Sequence, residues 1–116
     1  MMIKGIVYGS TFESASIKLT EIIDNYVQYF GEDVIEFVAK GKHTYTVEFT
    51  NGDTWQARGC SEHCRGLWCH IAYIERSIGR DTIATIIKPT IKGRPWSAYH
   101  YFGPPKTGEE ELWNIP

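Results

Sequence analysis

Hydrophobic and polar positions along the chain recur with two different periods, and each period predicts a different element. Over residues 11–30 the apolar side chains return every three or four positions, which places them on one face of a helix. Ser10 followed by Glu13 predicts a capping box at its start, and Gly31 is typical of its end. The pattern therefore predicts one long amphipathic helix near the N-terminus.

A period of two follows, which is the period of a half-buried strand. Residues 43–50 alternate apolar and polar side chains up to an Asn-Gly pair, the usual signal of a hairpin. A two-residue loop would set Trp55 opposite the polar Glu48. A three-residue loop over residues 50–52 pairs Trp55 with Val47 and aligns the apolar faces. We therefore predict the longer loop.

Four further segments complete the predicted sheet. They are residues 3–8, 34–39, 68–74 and 96–102. The third is an almost unbroken apolar run that ends at Glu75, which predicts a strand buried on both faces. A second helix is predicted over residues 82–88, with Asp81 as its cap and Pro89 at its end. The fold class is thus α+β (or small α/β): a mixed sheet of about four to six strands, with the long helix packed on it and a shorter second helix.

Length and composition suit one hydrophobic core. The chain has 116 residues, 42% of them hydrophobic, and a formal net charge of −2. We predict a single globular domain over residues 1–104 and a C-terminal tail over residues 105–116, in which the three consecutive glutamates are solvated. The charge gives no general attraction to nucleic acid.

The compartment is predicted from what the sequence lacks. The apolar run before Gly9 is too short for a signal-peptide core, and no stretch is long enough to span a membrane. Three cysteines crowded within ten positions do not resemble a secreted disulfide framework. We predict a cytoplasmic protein of a bacterial host, without membrane contact.

Cysteine and histidine cluster between the hairpin and the last predicted core strand. The candidate metal ligands are Cys60, His63, Cys64 and Cys69, with His70 beside them. Structural zinc sites place their ligands in two separated pairs, and this is one crowded group. We therefore expect no metal and no cofactor, and no catalytic residue.

Arginines and aromatic residues suggest a binding surface instead, because both are enriched where proteins bind their partners. The candidate binding residues are Arg58, Arg65, Trp68, Arg76, Arg80, Trp96, Tyr99 and Tyr101. We expect a protein partner. Contact with nucleic acid through a local basic patch stays open, as does the oligomeric state.

Several short motifs resemble a known family. The run from Ile6 to Thr11, followed by Ala15, resembles the second conserved segment of helicase-like and phage terminase ATPase cores. Residues 49–55 resemble the strand–turn–strand that precedes the family's acidic strand, and residues 65–75 resemble the approach to its magnesium-binding acid. The pattern also resembles small uncharacterised proteins of Gram-positive phages and prophages, which implies a phage accessory protein.

The same resemblance is incomplete where the family does its chemistry. The phosphate-binding loop Gly-x-x-x-x-Gly-Lys-Ser/Thr does not occur in the sequence, and Glu75 followed by Arg76 stands where the family has Asp-Glu. The resemblance therefore does not imply ATP hydrolysis by this chain alone.

Three hypotheses for the function follow. The first is a small non-enzymatic binding protein of phage or mobile-element origin, specifically an inhibitor of a host defence system of the anti-CRISPR type. The alternative is an accessory or degenerate terminase-like domain that binds nucleotide or DNA. The third is a metal-dependent enzyme. Asp53 and Glu75 are carboxylates at strand ends, where such chemistry often places them, but two acids without a third partner do not make a two-metal site, so structural roles are favoured for both.

Overall fold

Strands and helices follow one another along the computed structural model, which describes residues 2–60, 64, 66–93 and 97–114. The strands are β1 (Lys4–Gly9), β2 (Ile35–Lys40), β3 (Tyr45–Phe49), β4 (Thr54–Gly59), β5 (Ile71–Glu75) and β6 (Ala98–Phe102). The helices are α1 (Phe12–Phe30) and α2 (Arg80–Thr82), and α2 continues as one π-helical turn, Ile83–Ile87. Short 3-10 turns lie at Glu32–Val34, Arg76–Ile78, Lys88–Thr90 and Glu110–Trp113. None of the helices described is long and apolar enough to cross a membrane.

The six strands form one mixed sheet in the order β2-β3-β4-β1-β5-β6. Strand β1 runs parallel to both β4 and β5, and β6 runs parallel to β5. Strands β2, β3 and β4 form an antiparallel meander at the other side. The predicted fold class, a mixed sheet with a long N-terminal helix and a shorter second one, is confirmed.

Both faces of β1 are covered, since its side chains alternate between two cores. Val7 points toward the core under α1, where Leu19 and Val47 also lie fully buried. Ile6 and Tyr8 point to the opposite face, which the π-helical turn covers. The first strand of the sequence therefore holds the two halves of the molecule together.

The predicted hairpin register is confirmed. Val47 pairs with Trp55 and Tyr45 with Ala57, as the three-residue loop requires. Gly52 takes the left-handed backbone conformation, with φ of +94°, that such a loop needs at this position. The apolar side chains of β3 and β4 consequently share the face beneath α1.

The predicted cap of α1 is wrong by one residue. Thr11 is the N-cap, and its hydroxyl oxygen accepts a hydrogen bond from the backbone N–H of Ser14, while Ser14 completes the box in place of Glu13. Ser10 does not cap the helix, because its backbone N–H and its hydroxyl both donate hydrogen bonds to Glu75. A contact between distant parts of the chain thus overrides the local signal.

Strand β5 is shorter than predicted. It begins at Ile71, and Cys69 makes only an isolated bridge to Ile91. Trp68 is 41% exposed, outside the strand. Within β5 burial alternates, with Ala72 fully buried and its neighbours half-buried, so the prediction of complete burial on both faces is also wrong. The reason is that Ala72 and Ile74 lie within the core under the π-helical turn, whereas Ile71 and Tyr73 only pack against the margin of the core under α1.

Other predicted boundaries move as well: the strand predicted over 3–8 is observed at Lys4–Gly9, and the one predicted over 43–50 at Tyr45–Phe49. The strand predicted over 34–39 is observed at Ile35–Lys40, and the one predicted over 96–102 begins at Ala98; Trp96 lies outside the described residues. The helix predicted over 82–88 starts earlier, after Gly79, with no side-chain cap from Asp81. Pro89 does not end the helix abruptly. It lies in the first turn of the 3-10 segment Lys88–Thr90, where a missing N–H costs little.

Beyond residue 104 the chain stays in contact with the sheet. Trp113 packs edge-on against Tyr101, with ring centroids 4.6 Å apart. Glu109 accepts a hydrogen bond of 3.0 Å from the backbone N–H of Arg80. The predicted boundary between domain and tail stays a prediction.

Candidate functional site at the carboxyl edge of the sheet

The carboxyl ends of β1, β4, β5 and β6 lie at one edge of the sheet, since these four strands are mutually parallel. In open sheets of this kind, ligands bind in the crevice beyond the carboxyl ends of the strands. The loop after β1 leads there into the N-terminus of α1, and β5 ends there at Glu75. This edge is therefore where a functional site is sought.

Glu75 is held by the serines of the loop and helix opposite. Its Oε1 accepts hydrogen bonds from the backbone N–H of Ser10 at 2.8 Å, from the Ser10 hydroxyl at 2.9 Å and from the Ser14 hydroxyl at 2.8 Å. The Ser77 hydroxyl lies 3.0 Å from that of Ser10 and extends the network. One carboxylate oxygen thus carries three donors.

The network favours the ionised carboxylate. Burial by itself would raise the pKa of Glu75, but the bonds from the Ser10 N–H and from the Ser14, Ser10 and Ser77 hydroxyls together lower that pKa below its ordinary value. The N-terminus of α1 acts in the same direction, because a helix start attracts negative charge. Glu75 is consequently an anion already bound by its own protein.

The surroundings of Glu75 are tightly packed. A Cβ placed on Gly9 would lie 2.6 Å from the carbonyl oxygen of Thr11 and 2.7 Å from the backbone nitrogen of Ala15. Gly103, with φ of +73°, would bring a Cβ to 3.3 Å from the Cγ of Glu75. The end of β1 therefore packs closely against the first turn of α1, and the turn after β6 packs closely against the carboxylate of Glu75.

A cleft of about 320 Å³ opens beside the carboxylate, between α1 and the end of β6. Its lining residues are Ser14, Ile17, Lys18, Glu21, Glu75, Phe102 and Gly103. Lys18 is its cation, but the Nζ of Lys18 already lies 3.0 Å from a carboxylate oxygen of Glu21. The cleft is large enough for a small polar molecule, and the cation that lines it, Lys18, is already paired with Glu21.

A magnesium-bound nucleotide does not fit the donors present. Mg²⁺ is bound in such sites by carboxylates and substrate phosphates, and the oxygen of Glu75 nearest the loop is engaged by three donors. In the described part of the chain, no three His, Cys, Asp or Glu residues are grouped as a metal site would require. No catalytic step through such a group follows from this geometry.

A second cluster lies beside the first, where α2, β6 and the last 3-10 turn meet. The Arg80 guanidinium carbon lies 4.7 Å from the ring centroid of Trp113, and that of Arg76 lies 5.6 Å from the same ring. Arg76 also donates to the carbonyl oxygen of Gly103 at 2.9 Å. Two cations therefore lie against one indole, itself in contact with Tyr101.

The cluster continues along β6 through its aromatic side chains. Tyr99 lies 5.5 Å from Tyr101 between ring centroids, and the Nζ of Lys88 lies 5.0 Å from the ring of Tyr99. Between the cations is a cavity of about 130 Å³. It is lined by Arg80, Ile83, Ala84, Lys88, Tyr101 and Trp113.

The predicted binding residues do not all meet. The structure brings Arg76, Arg80, Tyr99 and Tyr101 into this cluster. Two others lie elsewhere: the Nε of Arg58 donates to Gln56 on β4, and Trp68 stacks under Lys4 at the opposite edge of the sheet. Arg65 and Trp96 lie outside the described residues. The binding role of all of them stays a prediction.

The candidate metal ligands have structural surroundings. Cys64 and Cys69 are buried in the core under the π-helical turn, and Cys60 packs against the same core. Burial raises the pKa of the Cys69 thiol to about 11, with a smaller opposing contribution from its bond with Thr90. His63 lies outside the described residues.

Sequence patterns miss the residues that organise both clusters. They assign Ser10 to a helix cap and give Ser14 no role, because the partner of both lies more than 60 positions along the chain. They also place Trp113 in a solvated tail. A tryptophan in an otherwise acidic segment is the available signal, since tryptophan is rarely left in water.

Comparison with known proteins rests on the fold. No family model matches the chain, and no curated protein matches it. The large terminase of a thermophilic bacteriophage gives a TM-score of 0.56 at 11% identity, over 89% of this chain and 27% of that one. The same terminase in complex with ADP gives 0.57 at 9% identity, over 89% and 26%. The ATPase domain of the Thermus phage P74-26 large terminase gives 0.56 at 18% identity, over 90% and 48%.

These values concern the architecture and only part of the neighbours. The chain spans between about a quarter and a half of the length of the structures that it matches. The predicted resemblance to a terminase core is confirmed as a likeness of fold, while phage origin stays a prediction. The chain is thus similar in fold to part of the ATPase domain of phage large terminases.

Proposed function

We propose that this chain is an accessory, degenerate domain with a terminase-like ATPase fold, which serves phage DNA packaging by binding and does not hydrolyse nucleotide. The observation that carries the proposal is the state of Glu75. This acid stands at the carboxyl edge, where such folds bind ligands, and its Oε1 is occupied by donors from Ser10 and Ser14.

Two further observations support the loss of hydrolysis. Phosphoryl transfer needs cations and a metal to neutralise the charge that develops on the phosphate oxygens. Lys18, the cation of the adjacent cleft, is paired with Glu21 at 3.0 Å. The sequence contains no phosphate-binding loop to provide another lysine. Among the residues described, the edge is therefore a closed hydrogen-bonded network without the groups that a catalytic centre for phosphoryl transfer would need.

The nucleotide part of the proposal is tested by calorimetry. One of the terminases of similar fold was solved with ADP, so Mg-ADP and Mg-ATP are the probes. We expect no heat of binding and no release of phosphate above the buffer blank. Thermal unfolding gives an independent readout, because a nucleotide at a hundred times its Kd would add about 2.7 kcal/mol of stability. A saturable heat or a raised Tm would contradict the proposal.

The proposed role in DNA packaging is tested by binding of the chain to a large terminase. The purified chain is mixed with the purified large terminase of the same phage and passed over a sizing column. We expect the two to elute together, and an unrelated phage ATPase serves as the control. Separate elution at micromolar concentrations of both proteins would contradict an accessory role in packaging.

Inhibition of a host defence system stays a prediction from sequence. Nothing in the described contacts favours it over other binding roles. The third hypothesis, a metal-dependent enzyme, is not taken further, because Asp53 and Glu75 occupy different regions. Asp53 accepts hydrogen bonds from Ile3 and Tyr26 beside the first residues of β1 and β4, whereas Glu75 lies at the carboxyl end of β5.

A further inference from the structure

Six residues beside the carboxyl edge form what we name the cationic strip. They are Arg76, Arg80, Lys88, Tyr99, Tyr101 and Trp113. Each cation lies over an aromatic ring, and the rings touch one another in sequence from Trp113 through Tyr101 to Tyr99. The strip is therefore one continuous row of rings, with two cations over Trp113 at one end and one over Tyr99 at the other.

The cations of the strip form no ion pair with an acid among the residues described. In the described part of the chain, the ion pair within 4.0 Å is that between Lys18 and Glu21, which lies on α1. Glu109 forms a hydrogen bond with a residue of the strip, but it accepts this bond from the backbone N–H of Arg80 and not from the guanidinium. Three positive charges thus remain available on a protein whose net charge is −2.

The strip is also accessible. Arg80 and Lys88 are exposed, and Tyr99 is 45% exposed although it lies on a strand. The cavity of about 130 Å³ between Arg80 and Lys88 opens on the same surface. Water therefore reaches both the charges and the ring that a ligand would contact.

We propose that the cationic strip binds single-stranded nucleic acid, with Arg80 and Lys88 contacting phosphates and Tyr99 stacking on a base. Surfaces that pair cations with accessible aromatic rings bind unpaired strands, because each base then has a free π-face. A duplex offers phosphates but no free base face, so it would use the cations alone. This inference stands without the proposed role in packaging, since it depends on the strip and not on Glu75.

Fluorescence anisotropy with a labelled oligothymidylate tests the proposal. We expect saturable binding that weakens as salt is raised, and weaker binding of a duplex at equal phosphate concentration. Arg80→Ala and Lys88→Ala each remove one phosphate contact, so the slope of log K against log salt falls by about 0.7 per variant. Lys42→Ala, at the exposed turn between β2 and β3, is the control and leaves the slope unchanged.

The aromatic contact has its own matched pair of variants. Tyr99→Ala is expected to weaken binding about tenfold, in line with the loss of one stacked base. Tyr29→Ala removes a ring that is 85% exposed at the far end of α1, and it should leave the affinity unchanged. Circular dichroism and Tm are recorded for each variant. Should Tyr99→Ala be unfolded, Lys88→Glu tests the same position by reversing the charge that lies over that ring.

Several outcomes would overturn the proposal. These are an absence of oligonucleotide binding at low salt, equal affinity for the duplex, and folded Arg80→Ala and Lys88→Glu variants that bind like the wild type. Poly-glutamate provides the remaining comparison. If it displaces the oligonucleotide at equal charge concentration, the strip takes acidic peptides and the proposal is wrong.

Discussion

The backbone N–H of Ser10 donates a hydrogen bond of 2.8 Å to the Oε1 of Glu75, and this contact joins the loop after β1 to the end of β5. The bond spans 65 positions of the sequence. Because Ser10 is bonded to the carboxylate, Thr11 and not Ser10 is the N-cap of α1. The edge of the sheet and the first turn of the helix therefore behave as one unit.

Glu75→Gln should lower the free energy of unfolding by about 1 kcal/mol. The amide keeps one acceptor oxygen but loses the charge that strengthens the serine bonds. Urea titration followed by circular dichroism measures the change. Glu48→Gln, on the exposed face of β3, is the control and should leave the midpoint unchanged. An equal effect of both substitutions would show that the serine network contributes nothing.

The same network predicts a dependence of stability on pH. The pKa of Glu75 is lower in the folded protein than in the unfolded chain, where it is about 4.3. The unfolded state therefore binds a proton first, so the stabilisation is complete well above pH 4.3 and is lost as the pH falls through the folded pKa. Wild type should lose more stability than Glu75→Gln between pH 6 and the acid end of the titration. Parallel acid curves for the two proteins would contradict this.

Gly5 should tolerate no side chain. A Cβ at this position in β1 would lie 2.3 Å from the indole of Trp55, which is itself 4% exposed and cannot retreat into solvent. Gly5→Ala is expected to cost about 2–3 kcal/mol through overpacking, seen as a lower Tm. Gly93→Ala, where no atom of the described residues lies within 4 Å of the added carbon, is the control. A Gly5→Ala protein with wild-type Tm would show that the indole has room to move.

Asp53→Ala should be among the more damaging substitutions of an acid. This side chain is 3% exposed and accepts hydrogen bonds from the backbone N–H of Ile3, the hydroxyl of Tyr26 and the amide of Asn51. Its removal leaves partly buried donors without this acceptor, at a cost of about 2 kcal/mol. Chemical denaturation of this variant, compared with Asp24→Ala on the exposed side of α1, measures the difference.

Cys69 should resist alkylation in the folded protein. Its side chain is fully buried, and desolvation raises the pKa of the thiol to about 11, so little thiolate exists at pH 8. Iodoacetamide at pH 8, followed by peptide mass spectrometry, is expected to modify Cys69 only after denaturant is added. Rapid labelling of Cys69 in the native protein would show that the core under the π-helical turn opens readily.

The parts of the fold that could be predicted are those fixed by neighbouring residues. The alternation through Val47 and the Asn-Gly turn determine the hairpin register, and the helical spacing up to Phe30 determines α1. What failed depends on distant contacts. The cap moved to Thr11 because Glu75 takes Ser10, and β5 starts late because the bridge from Cys69 to Ile91 replaces a regular ladder.

The candidate site was predictable only in its residue types. Arginines and tyrosines could be singled out as a group, yet spacing along the chain could not tell which of them share a surface. Arg76 and Arg80 meet at Trp113 because the last 3-10 turn folds back onto β6. Arg58, equally promising as a residue, is on another strand and bonds to Gln56.

The interior position of β1 in the sheet also affects how fast the sheet can form. Gly5 pairs with Trp55 on one side and with Ile71 on the other. The two partners of β1 are therefore synthesised only 50 and 66 residues after Gly5. Pairings this remote in sequence slow the search for the native state. During synthesis the sheet cannot close around β1 until β5 has left the ribosome. Until then the apolar side chains of β1 are exposed to association with other nascent chains.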